Sequence, residues 1–156
     1  MLTAGVLALA GSLPWLFPSL GPTAFLQAEY PSHRTTRFYN TLVGHCLGLG
    51  SGFAAVVAFH AQHVPPATAS HLAATRIWAA ALAVALTSLA MLLFRASHPP
   101  GVATALLVAL GGFQATAPEG VKLLAGIAIF AVACAASRRL GRGRETRAEH
   151  AQERDP

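Results

Sequence analysis

The chain has 156 residues, of which 54% are hydrophobic and only 11% charged, against about 25% charged in an ordinary soluble domain. That balance points to a membrane. A sequence pI near 10.3 raises the prospect of nucleic acid, but no basic patch with interleaved aromatics accompanies it, so nucleic acid is excluded as a partner.

In chain order, the first apolar piece, residues 2–17, resembles the hydrophobic part of a signal peptide but lacks a positive start, and is read as a retained helix. A second short piece follows at 18–30, opened by "FPSLGPTAFL". Here Ser19 is placed to cap a helix start and Gly21 to let another backbone come close. Glu29 falls at its end.

The run at 40–60 is long enough to span a bilayer, which takes about 20 apolar residues. Within it Gly44, Gly48 and Gly52 recur every four residues and so share one helix face. Small-residue stripes of that kind let helix backbones approach. They are read as packing, within one subunit or between subunits. Beside them stand Asn40, His45 and Cys46. The loop that follows carries His60, His63 and His71 without a carboxylate or thiol, and is read as solvated rather than metal-binding.

A second full span is expected at 76–94, a third at 119–137, and between them the chain breaks at "SHPPGVATAL". Prolines in the first turn of a helix cost little, because the N–H groups they lack are unpaired there anyway. The break therefore reads as a helix start, with Ser97 as its cap and unpaired amides from Gly101 to Thr104. The apolar piece from 98 to 113 would reach only about 24 Å, against a hydrocarbon core of about 30 Å.

Six of the eleven Lys and Arg lie in the last nineteen residues. With Arg34, Arg37 and Arg95 they place the C-terminus in the cytoplasm by the positive-inside rule, and residues 138–156 are read as a charged tail, either beside anionic lipid or solvated through its interspersed Glu145, Glu149 and Glu153. The cysteines Cys46 and Cys134 both lie in apolar runs, with neither a disulfide nor a zinc knuckle expected.

Laid over one another with an offset of 81, the two breaks pair Pro18 with Pro99, Thr23 with Thr104 and Leu26 with Leu107. The expected architecture is therefore an all-α polytopic membrane domain, residues 1–137, with about six apolar helices. Three are full spans and the rest short or broken, in a 3+3 inverted repeat whose halves are 1–60 and 76–137. In such repeats, paired short segments mark the transport site. Helix starts inside a membrane offer partial positive charge and unpaired donors, which suits an anion. Carboxylates are absent from the spans. The candidate binding residues are Ser19, Gly21, Thr23, Asn40, His45, His98, Gly101 and Thr104. No cofactor, metal or catalytic group is expected.

Residues 97–106, "SHPPGVATAL", resemble the signature of the HPP family of small integral membrane proteins. "FPSLGPTAFL" is similar to that family's Pro-Ser-Leu-Gly segment, and "NTLVGH" supplies its Asn and Gly-His at Asn40, Gly44 and His45. The resemblance implies a transporter or channel for a small anion such as nitrite. This chain departs from the family in "HRTTRFYN", where a Pro-Arg-Asn usually stands, so Asn40 lacks its adjacent Arg. With so few residues per subunit, a homo-oligomer is expected. The competing reading is a non-transporting structural or sensory subunit assembled through the glycine stripe. A membrane enzyme using His45, His98 and Cys46 ranks last, for want of a base partner or metal set.

Overall fold

The computed structural model describes residues 18–69 and 72–152, as backbone alone from 140 onward. Among them are five α-helices and no strand: α1, Leu20–Glu29; α2, Phe38–Ala58; α3, Ala74–Leu93; α4, Pro99–Ala109; and α5, Ala117–Gln152. Three helical stretches are long and apolar enough to cross a membrane: Phe38–Ala58, Ala74–Leu93 and Ala117–Arg139. Each begins two residues before the expected span. The expected first helix, at 2–17, lies outside the described residues, so the all-helical membrane architecture holds while the sixth helix and the inverted repeat are not established by these elements.

The glycine face of α2 sets the arrangement. A Cβ at Gly44 would collide with the His98 side chain, one at Gly48 with the Gly101 carbonyl, and one at Gly52 with Val108. Read along the helix, these contacts advance together, so α4 runs parallel to α2 and almost touches it. Gly101 returns the constraint, because a Cβ there would run into the Gly44 carbonyl. The stripe is thus used inside the chain.

The other two spans run antiparallel to α2. Tyr39, at the start of α2, donates from its hydroxyl to the Phe94 carbonyl just past the end of α3. Arg138, late in α5, donates to the Thr36 carbonyl just before α2, whereas Gly120 near the start of α5 lies against Phe53 near the end of α2. Arg34, Arg37, Arg95 and Arg138 therefore share one end of the bundle, here the tail end, and residues 59–69 occupy the other. The core between them is built from Leu49, Val56, Ala79, Ala83, Val108, Leu123 and Ile127. Outward faces carry bare apolar side chains such as Trp78, Leu92 and Val132, the surface a lipid chain would cover.

Two tight C-terminal turns redirect the chain. After α3 the Ala96 N–H bonds the Met91 carbonyl and the Arg95 N–H the Leu92 carbonyl, with Arg95 at φ 51°. This is the six-to-one and five-to-two pattern of a Schellman turn, and it sends 96–98 back into the bundle. After α4 the same pattern recurs with Gly111 at φ 87°.

Helix α4 has 11 residues, about 16 Å at 1.5 Å per residue, shorter than the expected piece. Its end nevertheless meets the segment after α2 through Arg76, which bonds the Ala109 and Val64 carbonyls, because the non-helical residues 96–98 precede its start. Its cap differs from expectation as well: His98, not Ser97, occupies the N-cap position, and no side chain caps the helix. The Gly101 N–H is already bonded to the His98 carbonyl at 2.9 Å, so it is not one of the unpaired amides foreseen there. Helix α5 runs unbroken through the apolar window into the arginine-rich segment as far as Gln152. The charged tail thus begins as a continuation of the third span.

The seam between α2 and α4 leaves no room for a methyl group at Gly48. Gly48→Ala is expected to lower stability in detergent by about 1–3 kcal/mol, as overpacking does. Gly50→Ala, on the same helix but with nothing within 4 Å of the new Cβ, is expected to leave the melting temperature unchanged or slightly raised.

Candidate functional site

Where the starts of α1 and α4 overlap against the middle of α2, five polar side chains meet. Ser19, Thr23, His45, His98 and Thr104 are each no more than 2% exposed, so every polar atom must be answered by protein. Helix α2 brings His45 from its glycine face, α1 brings Ser19 and Thr23, and the break and α4 bring His98 and Thr104.

The bonds run as one sequence of contacts. The Ser19 and Thr104 hydroxyls lie 2.8 Å apart, and Thr104 Oγ1 is 2.7 Å from His45 Nδ1. On its other side His45 Nε2 is 2.9 Å from Thr23 Oγ1, which is 3.2 Å from His98 Nε2. His98 Nδ1 then donates to the Thr35 carbonyl at 2.8 Å. The two imidazoles stand edge to face with centroids 4.9 Å apart. The same hydroxyls also face backbone acceptors one turn back, Thr23 the Ser19 carbonyl at 3.2 Å and Thr104 the Pro100 carbonyl at 3.4 Å.

The geometry thus joins five of the eight candidate residues. Asn40 lies just outside and holds the break, donating from Nδ2 to the Ser97 carbonyl at 3.0 Å. Gly101 serves the α2 seam. Gly21 stands apart from both: nothing lies within 4 Å of its would-be Cβ, and its N–H is bonded to the Pro18 carbonyl at 3.2 Å, so the close backbone approach expected there does not occur. Ser19 occupies the N-cap position of α1 but makes no side-chain cap bond. Its hydroxyl reaches across to Thr104 instead.

Two participants were not foreseen. Thr35, in the short 3-10 turn Arg34–Thr36, enters through its carbonyl, and no side-chain pattern announces a backbone acceptor. Arg76, in the first turn of α3, is only 4% exposed. It donates from Nη1 to the Ala109 carbonyl at 2.9 Å and from Nη2 to the Val64 carbonyl at 2.6 Å. It stitches the segment after α2 to the C-terminal end of α4, where a cation meets the negative end of the helix dipole. A lone arginine at the start of an apolar run, on the side poor in Lys and Arg, was the available signal.

Arg76 also borders a cavity of about 510 Å³ at the loop end, shared with His63, Gln114 and Thr116. A hollow of about 230 Å³ at the tail end is lined by Arg37, Arg138 and Arg139. The polar cluster sits between these two positively lined recesses. Among the groups that compose it are hydroxyl and imidazole donors but no carboxylate.

Because each hydroxyl in the cluster answers another polar atom, removing one strands its neighbour. Thr104→Val, which keeps the shape, is expected to cost about 1–3 kcal/mol by removing the buried hydroxyl that both Ser19 and His45 bond. Combined with Ser19→Ala it is expected to be non-additive by about 0.5–1.5 kcal/mol in a double-mutant cycle of thermal or denaturant unfolding.

No curated protein and no solved structure matches this chain. One family does: the model of the HPP transmembrane region matches residues 1–146. Covering nearly the whole sequence, including both proline breaks and the glycine-histidine span between them, that match shows that the chain belongs to the HPP family of integral membrane proteins.

Proposed function

We propose that the chain is a transporter or channel for a small inorganic anion such as nitrite, working in a cytoplasmic membrane with its arginine-rich C-terminus in the cytoplasm. One observation carries the reading: a closed cluster of hydroxyls and imidazoles, free of carboxylate, buried where two short helices begin among membrane spans. A dehydrated anion costs many kcal/mol in hydrocarbon unless several donors replace its water. Ser19, Thr23, His45, His98 and Thr104 are such donors once their mutual bonds open. The two helix starts add their positive ends.

The repeat reading belongs to the same proposal. Thr23 and Thr104, paired by the offset of 81, flank the two nitrogens of one imidazole. Helices α1 and α4, with 10 and 11 residues, stand as the half-helices of an inverted pair. Pockets lined by Arg76 at one end and by Arg37, Arg138 and Arg139 at the other favour anions over cations on both approaches. A homo-oligomer in the bilayer is part of the proposal too, but its contact is not the glycine stripe, whose three glycines are already covered by α4. That covering removes the main support for a purely structural subunit.

Two measurements test the reading. Purified protein in proteoliposomes is expected to conduct nitrite, and His98→Ala or Thr104→Val to cut the flux about tenfold or more, equivalent to about 1.4 kcal/mol of lost stabilisation per tenfold. Intact protein that neither conducts nor is stabilised by nitrite or nitrate would sink it. In a cysteine-free background, Arg147→Cys is expected to react with an impermeant thiol reagent only from the cytoplasm, and Gln114→Cys only from the opposite side.

A further inference from the structure

The cluster contains one proton for each of its links, and counting them fixes a direction. His98 Nδ1 faces the Thr35 carbonyl, which can only accept, so this nitrogen carries the N–H. In neutral His98 the other nitrogen, Nε2, is then a bare acceptor, and Thr23 Oγ1, 3.2 Å away, is the donor placed to satisfy it. Sending the Thr23 proton instead to the Ser19 carbonyl would leave a buried lone pair unanswered, at a cost of about 1–3 kcal/mol. Thr23 has no second proton to give, so it receives one from His45 Nε2 at 2.9 Å. Neutral His45 is therefore protonated at Nε2, and its Nδ1 accepts from Thr104 at 2.7 Å. Thr104 in turn accepts from Ser19 at 2.8 Å. Each of the five links from Ser19 to the Thr35 carbonyl then has one proton and one direction.

From this we infer that the cluster is a polarised hydrogen-bond chain, running Ser19, Thr104, His45, Thr23, His98 to the Thr35 carbonyl, and that proton uptake at His45 Nδ1 reverses its first two links to release the Ser19 hydroxyl for an anion. The step balances. A proton from water forms an N–H bond at His45 Nδ1, which now donates to Thr104. Thr104 swings its own proton to Ser19 Oγ, and Ser19 O–H, no longer needed by Thr104, is freed at the N-terminal start of α1. The links from His45 Nε2 to Thr35 are unchanged.

This deepens the anion reading and rests on it, because a buried imidazolium and a buried anion are each costly alone and offset each other together. One proton is then taken up with each anion, and the pair enters the bundle without net charge. Among the described partners of His45, only His98 titrates, and with rings 4.9 Å apart a second charge is opposed by the first. The charged groups of the described side chains on the packed helices stand toward the helix ends: Glu29 closes α1, Arg76 of α3 bonds the Val64 and Ala109 carbonyls, Glu119 and Lys122 pair near the start of α5, and Arg138, beside Arg139, bonds the Thr36 carbonyl. The N-terminal helix end at Ser19 adds a favourable field for the anion.

Nitrogen-15 spectra of the histidine-labelled protein in detergent or bilayers, assigned by difference against His45→Gln and His98→Gln, read the tautomers directly. Without anion, His98 is expected as the neutral Nδ1–H form and His45 as the neutral Nε2–H form. The opposite assignment at either ring overturns the polarised chain. With nitrite added, His45 alone is expected to become imidazolium, and calorimetry in two buffers of different ionisation enthalpy to show about one proton taken up per nitrite. Nitrite binding with no proton uptake, or with His45 still neutral, overturns the coupling and leaves the anion reading intact. A protein that binds and conducts no nitrite fails the anion reading, and the coupling falls with it. Ser19→Ala is expected to weaken nitrite binding about tenfold while both resting tautomers persist. Unchanged affinity would remove the released hydroxyl from the account.

Discussion

The close approach of α4 to the glycine face of α2 is the contact on which the rest of the molecule depends. With Gly101 against the Gly44 backbone and Gly48 against the Gly101 carbonyl, the two helices run nearly in van der Waals contact, far closer than larger side chains would allow. That proximity is what lets His98 and Thr104, on the break and on α4, reach His45 on α2. Any side chain on the stripe would push α4 outward and pull the hydroxyls out of hydrogen-bond range of the imidazole. The packing device and the chemical site are consequently one feature seen from two sides.

Hydrocarbon supplies no hydrogen bonds, so a polar group in a membrane span has only protein to answer it. The chain meets this demand by arranging its buried hydroxyls and imidazoles in series rather than in isolated pairs. Each has few partners to choose from, which makes the arrangement sensitive to a single added proton. Polar networks in a low-dielectric interior behave this way: complete, they hold a unique geometry; with one bond changed, the neighbours must reorganise. The cluster lies between a recess bordered by Arg76 and one lined by Arg37, Arg138 and Arg139.

The shape of the bundle follows from short helices as much as from long ones. Had the 94–98 segment been helical, α3 would have continued straight out of the membrane. The Schellman turn at Arg95, followed by two prolines that cannot donate in a first turn, instead reverses the chain and begins a new helix below the surface. The result is two helix starts inside the bundle, and both are needed. Ser19 without Thr104 would be an unanswered hydroxyl in apolar surroundings, and His98 Nε2 without Thr23 would lose the hydroxyl it faces.

Much of this was legible in the amino-acid order. Long apolar runs locate the spans to within a couple of residues, because the bilayer imposes a length. Proline pairs locate the helix starts, because proline lacks the amide a helix interior requires, and glycines every fourth residue announce a helix face built for close contact. What one-dimensional order does not carry is which surfaces meet. The glycine stripe was equally consistent with contacts inside or between subunits until the position of α4 was known. Gly21 and Gly101 were indistinguishable as candidate donors until their amides were found spent on local turns, and Ser97 looked as good a cap as His98. Thr35 was invisible, since it takes part through a carbonyl that every residue possesses. Composition and spacing thus determined the number, length and breaks of the spans, because those depend on the solvent surrounding the chain. Tertiary structure decided which hydroxyl faces which imidazole nitrogen, because that depends on distance differences of a few tenths of an ångström between residues 22 to 75 positions apart.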